Sequence, residues 1–224
     1  MKKPVFYTEI AYGVGLLLLS LATALMERGG LGMSIVVAPA YVVHLKLSSL
    51  WSWFTFGTAE CISQALVLVL MLVLVGRVRV TWLLTVLTTL LYSIVLDGCM
   101  ALTASMPAVL WVRVIAYVGG FVLCVTGVGL MLRAYFPPTS YDLFSKLVSA
   151  ARGKPLSRVK TTYDLTCLAL ALGLSLWFFG EVRGVGIGTV FGALLGGTCI
   201  RWTMVWQERV FAFRDRLPWR KYFE

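Results

Sequence analysis

Apolar residues run along this chain in six long stretches, at about 10–26, 53–75, 81–97, 108–132, 161–179 and 184–206, and charge is confined almost entirely to the connections between them. A hydrocarbon core about 30 Å thick takes roughly 20 predominantly apolar residues to cross as a helix, because lipid cannot satisfy exposed backbone amides. Six such runs use nearly the whole chain. The pattern predicts an all-α, polytopic membrane protein with six transmembrane helices. Two shorter apolar pieces do not reach the required length. One follows Glu27-Arg28-Gly29-Gly30-Leu31-Gly32-Met33-Ser34 and is interrupted by Pro39; the other follows Pro137-Pro138-Thr139-Ser140 and ends near Gly153. From Ser34 a helix to Leu45 would extend only about 18 Å at 1.5 Å per residue, so each is expected to be a short or broken helix, with Ser34 and Ser140 as N-caps.

The chain also repeats itself. A shift of 104 residues sets Thr58-Ala59-Glu60 on Thr162-Tyr163-Asp164 and Gly76-Arg77-Val78-Arg79 on Gly180-Glu181-Val182-Arg183, with nine of the 22 positions from Thr58 to Arg79 identical. Leucine matches carry little weight in apolar helices, so the threonine, acidic, glycine and arginine matches carry the inference. Three spans per repeat is an odd number, which requires the second half to insert upside down. The expected architecture is a 3+3 inverted repeat: 1–106, then 107–206, then a basic amphipathic tail at 207–224 resting on the cytoplasmic lipid surface.

Basic residues select an orientation independently. With the N-terminus in the cytoplasm, the cytoplasmic side holds Lys2, Lys3, Arg77, Arg79, the run from Arg133 to Lys160, and the C-terminal tail, 15 of the 20 lysines and arginines. The opposite side holds Arg28, Lys46 and Arg183. Cytoplasmic loops carry this excess in membrane proteins. The net charge of +10 is thereby accounted for by topology and anionic headgroups, and nucleic acid is not an expected partner. The start at 1–26 has the outline of a signal peptide, but an equivalent helix recurs in the second half and retention is expected. Five scattered cysteines without a C-x-x-C pair and one histidine, His44, point to no metal site and no cofactor.

Chemistry is expected where charge enters the spans. Glu60, Asp97, Arg113, Asp164 and Arg201 lie in apolar runs, where a charge at a helix centre costs roughly 2.5–3.5 kcal/mol on an insertion scale and so faces the bundle interior or a partner. Glu60 and Asp164 are repeat mates beside Thr58 and Thr162. With Arg28, Arg113, Arg133, Ser34 and Ser140 they form the expected substrate-binding set, either as an acidic pair for a cation or proton, or as internal ion pairs with the arginines. Asp97 and Arg201, mates of opposite charge, are expected to be structural. Gly184, Gly188, Gly192 and Gly196 form a small-residue ridge whose expected use is close helix packing, in the bundle or at a homodimer seam, with a pore lining as the alternative. On the packing reading, Gly192→Leu is more harmful than Gly15→Leu. No nucleophile–base pair, H-E-x-x-H, G-x-S-x-G or P-loop occurs, and enzymatic activity is not expected.

The glycine-rich turn from Arg28 to Ser34, its degraded copy from Arg133 to Ser140, and the G-x-V-R loops resemble the YczE/YyaS/YitT-like bacterial membrane proteins over roughly 10–206. The resemblance implies a multi-pass protein of the bacterial cytoplasmic (inner) membrane, with transport as the expected role, and supplies no catalytic residues. The expectation is therefore a transporter or channel for a small polar or ionic solute at a site between inverted repeats. The alternative is a non-transporting accessory or assembly protein that binds a protein or lipid partner. In a background without the native cysteines, cysteines placed at Lys46 and Arg152 should react with an impermeant thiol reagent from opposite faces of the membrane. Labelling of both from one face would eliminate the inverted topology.

Overall fold

The computed structural model describes residues 3–76, 81–136 and 139–216. Among the described residues there are eight helices: α1 (Thr8–Gly29), α2 (Ala38–Leu47), α3 (Phe56–Val75), α4 (Thr81–Thr103), α5 (Leu110–Met131), α6 (Ser140–Arg152), α7 (Leu156–Phe179) and α8 (Ile187–Val210). Five of these, α1, α3, α4, α5 and α7, are long and apolar enough to cross a membrane. α8 matches them in length at 24 residues, but Arg201, Glu208, Arg209 and four glycines lower its hydropathy. Each half has the same order of lengths: long, short, long, long. The repeat-mate glycines Gly76 and Gly180 terminate α3 and α7 in the same way, with φ of 66° and 69°, a left-handed conformation that only glycine adopts without cost.

The frame is the antiparallel contact of α1 with α5. Its centre is two glycines: a Cβ at Gly15 would lie 2.8 Å from the Gly127 carbonyl oxygen, and one at Gly127 would lie 2.7 Å from that of Gly15. One heptad along, a Cβ at Gly120 would lie 2.9 Å from the carbonyl oxygen of Ala22, and at the far end a Cβ on Gly29 would press on Tyr117. Small residues spaced by seven on both helices therefore bring the backbones together, which maximises dispersion contact where lipid offers no hydrophobic gain.

Around this pair the elements pack in matched fashion. α4 lies on α1, and α8 on α5; α2 packs across on α7, and α6 across on α3. Two interhelical bonds tie α1 to α4: Tyr12 with Thr88 at 2.6 Å and Thr23 with Tyr92 at 3.0 Å. Asp97 of α4 caps α3, accepting from Thr55 Oγ1 at 2.6 Å and the Gly57 amide at 2.8 Å. A carboxylate is well placed there, at the positive end of the helix dipole.

The short helices run from the interior outwards. α6 starts at Ser140, fully buried beside Thr89, and ends at exposed Arg152; α2 starts at buried Ala38 and ends at Leu47, near Phe54 and Ala59. They leave at opposite ends of the bundle, α6 along the last turns of α3 and α2 near the α7–α8 connection. Their caps differ from expectation. α2 is capped by Val37, and Ser34 instead opens a turn in which its carbonyl accepts from the Val37 and Ala38 amides. Thr139 precedes α6 as its cap, leaving Ser140 inside the helix. The break at Pro137 and Pro138 lies outside the described residues, as do Arg77 and Arg79 of the G-x-V-R loop.

The first and last described segments meet at one end of the bundle. Val5–Tyr7 (β1) pairs in parallel with Ala212–Arg214 (β2), Phe6 opposite Phe213, and Phe6 lies 5.2 Å from Phe211 between ring centroids. Part of the expected surface tail is thus a strand held on the body; its residues from Leu217 onward lie outside the described residues.

The glycine ridge divides. Gly184 and Gly188 are packed, against Tyr41 and Tyr117, whereas a Cβ at Gly192 or Gly196 would touch nothing within 4 Å. The close backbone contact is at Gly15 instead. Gly15→Leu should therefore lower folded yield in detergent, read by size-exclusion chromatography, far more than Gly192→Leu. Equal losses would contradict the α1–α5 contact.

Candidate functional site

A cavity of about 310 Å³ lies where the two halves meet. Its walls are Thr23 and Met26 of α1, the segment Met33 to Val37 that leads into α2, Glu60 and Gln64 of α3, Tyr92 of α4, and Phe121 and Cys124 of α5. The remaining walls are Thr139, Tyr141 and Asp142 at the start of α6, Lys160 and Asp164 of α7, and Gly188, Gly192 and Gly196 of α8. Both short-helix N-termini thus border the same space. Glycines on α8 leave room for it: the positions where a Cβ would meet nothing are positions facing the cavity.

Glu60 is the most enclosed charge-bearing group here, at 0% exposure. Its Oε1 accepts from the Tyr141 hydroxyl at 2.9 Å and from Gln64 Nε2 at 3.3 Å. Gln64 Oε1 in turn accepts from Thr89 Oγ1 at 2.9 Å, and Thr89 reaches Ser140 at 3.3 Å. This polar thread joins α3, α4 and α6. It ends on Glu60 Oε2, which is buried without a hydrogen-bond partner. Asp164 has the same feature: it is half-buried, and its Oδ1 is buried and unpartnered. A buried carboxylate oxygen with no donor is costly, and it retains the full capacity to accept a proton or coordinate a cation.

The structure brings together Glu60, Asp164 and Ser34 from the expected set and sends the rest elsewhere. Ser140 stands behind the wall in the polar thread. Thr58 is spent on the α3 cap, its amide 3.1 Å from Thr55 Oγ1. Thr162 donates to the Arg158 carbonyl at 2.9 Å and faces a different groove. None of the three arginines lines the cavity, because each has a backbone carbonyl to satisfy. Arg28 pairs with Glu27 at 3.4 Å and donates to Met100 O. Arg113 donates to the Gly29 and Gly30 carbonyls at the C-terminus of α1, where the helix dipole favours a cation. Arg133 binds Glu208 at 2.7 Å and the Met204 carbonyl, joining α5 to α8. The expected ion pairs between these arginines and the two acids do not form.

Sequence reasoning missed Gln64, Tyr92, Tyr141, Asp142 and Lys160. Tyr141 and Asp142 directly follow Ser140, and a helix beginning inside the bundle must carry its first residues to the site. Lys160 pairs with Asp142 at 3.4 Å, so one lysine offsets one acid. Among the described residues no group of three or more His, Cys, Asp and Glu side chains converges as a metal-ligand set.

A helical bundle with five membrane-length apolar helices, two interior-starting short helices and an acid-lined internal cavity defines a polytopic membrane protein. The chain belongs to DUF6198, a family of unknown function, whose model matches residues 6–205. No curated protein and no solved structure matches it.

Tyr141→Phe removes the shorter of the two bonds to Glu60 and should destabilise the detergent-solubilised protein by about 1–3 kcal/mol, the cost of unsatisfying a buried charged acceptor. Unfolding followed by intrinsic fluorescence tests this. An unchanged transition would show that the Tyr141–Glu60 bond carries no stability.

Proposed function

We propose that this protein is a small-solute membrane transporter whose site is the cavity at Glu60 and Asp164, and that the solute it accepts there is a proton or a small monovalent cation. The observation that carries the reading is the Glu60 carboxylate, wholly enclosed in the wall of the cavity and yet with one oxygen that no hydrogen bond engages. A structural acid would spend both oxygens, as Asp97 does on Thr55 and Gly57.

The sign follows from the wall charges. Glu60, Asp164 and Asp142 face one Lys160. Each short-helix N-terminus contributes roughly half a positive charge, so the two together offset about one carboxylate. About one negative charge is left, enough for one monovalent cation or proton.

The finer topology belongs to this reading. α8 is taken as a sixth crossing, because an even number of crossings returns the chain to the side where β1 and β2 pair, and its Ile187, Leu194 and Trp202 are strongly exposed apolar residues. The matched order of helix lengths supports a 3+3 inverted repeat, in which two halves can exchange conformations around a central site. The distribution of basic residues supports a cytoplasmic location for the paired termini. The likeness to YczE/YyaS/YitT-like proteins adds the bacterial cytoplasmic membrane to the reading.

Purified protein in liposomes should pass protons, sodium or methylammonium down an imposed gradient, followed by an internal pH dye or radiolabel. Glu60→Gln and Asp164→Asn should each abolish or uncouple that flux while eluting as folded protein. Wild-type flux in folded Glu60→Gln would sink the site. Absence of flux for every cation tested, together with a stable co-purifying protein, would favour the accessory role.

A further inference from the structure

A second space, larger than the acidic cavity and separate from it, opens on the side of the bundle. It is a groove of about 690 Å³ between α3 and α7, floored by α2 towards one end and α6 towards the other. Its walls are apolar: Leu66, Leu70 and Leu74 on α3, Leu170 and Leu174 on α7, and Val148 on α6. One end differs. Arg152, Lys154 and Arg158 line it where α6 turns into α7, all three exposed, and no side-chain partner holds any of them among the described residues.

We propose that this groove binds an anionic phospholipid, its acyl chain lying between α3 and α7 and its phosphate at Arg152, Lys154 and Arg158. Length and charge select the occupant. From Arg158 to Leu174 the groove follows α7 for about 24 Å at 1.5 Å per residue. That exceeds the roughly 15 Å depth of one leaflet's hydrocarbon, so an acyl chain fits along it. A soluble anion would leave the leucine walls empty, and a zwitterionic lipid would bring no net negative charge, its own ammonium competing with the three cations for the phosphate. The basic cluster lies at the same end as the paired termini, the side to which the lysine and arginine distribution assigns the cytoplasm and its negative surface potential. A second copy of the chain fits less well, because it would meet those three cations with its own.

The groove and the acidic cavity share a wall. Tyr163 faces the groove while its neighbour Asp164 faces the cavity. Tyr163 also packs, with tilted rings, against Tyr141 and Phe144, ring centroids 6.3 and 5.0 Å away. The lipid site does not depend on the transport reading, since it needs neither Glu60 nor Asp164.

Native mass spectrometry of the full chain, released from micelles supplemented with equal phosphatidylglycerol and phosphatidylcholine, tests the proposal. The wild type should retain phosphatidylglycerol preferentially. The combined variant Arg152→Gln, Lys154→Gln, Arg158→Gln should lose that preference by at least about tenfold, the scale set by three surface cations. Arg209→Gln with Arg214→Gln, away from the groove, should keep it. Leu170→Trp leaves the charges intact and fills the groove, and should lower retention of phosphatidylglycerol even if the triple variant fails to fold. Equal retention of both lipids by the wild type, equal loss in both charge variants, unaltered retention in Leu170→Trp, or a lipid-free dimer that protects the groove would each overturn it.

Discussion

The contact between α1 and α5 limits what every other helix can do. Two helices in lipid gain nothing from burying leucine against leucine, since lipid tails are equally apolar, so association depends on how closely the backbones approach. Here glycine meets glycine at positions 15 and 127, and each would have its Cβ inside the van der Waals reach of the other's carbonyl. Once this pair is fixed, α4 and α8 have one flank each to occupy, and α3 and α7 are left at the sides. The two short helices then bridge: α2 reaches α7, and α6 reaches α3. Each side helix is therefore braced by a short helix from the other half.

That bracing accounts for the polar thread. A helix that starts inside the bundle brings unpaired amides and polar first-turn residues away from the surface, and they need partners there. Ser140 and Tyr141 find Thr89 and Glu60. The fold thus provides a reason for Glu60 to be buried and for one of its oxygens to be engaged. It provides none for the other oxygen to be left without a donor.

Much of this was legible from the residues. All six apolar runs became helices, with α4 reaching Thr103 and α7 beginning at Leu156. The extension of α4 follows from Asp97, which turns out to cap a neighbour and does not end its own helix, so a charged residue gave a false terminus. The α7 extension follows from Pro155, a residue suited to a helix start, ahead of a polar first turn that hydropathy discounts. The acids Glu60 and Asp164 were found through the repeat. The arginines were misplaced because sequence shows a charge and hides the carbonyls at helix ends that can hold it. The glycines misled in a related way. Four glycines at a spacing of four, Gly184 ahead of α8 and three within it, read as a packing ridge, while the true seam, spaced by seven and completed by alanine, is diluted among leucines. Spacing tells which residues share a face and says nothing of what stands opposite.

α7 differs from the other long helices in how it is held. It is the least buried of the five apolar helices, 17% against 28–44%, and its neighbours are the short helices α2 and α6. The corresponding helix α3 has α4 as well, capped through Asp97 and joined through Gln64 and Thr89. Few buried contacts mean a low free energy for local displacement. A displacement of α7 moves Asp164 relative to Glu60 and at the same time moves Leu170 and Leu174 relative to α3, because these residues belong to one rigid helix. Cavity and groove are thus mechanically one variable. The α1–α5 pair cannot supply that variable, since its backbones are already in contact, whereas α7, held by the short segments, can change cavity and groove together.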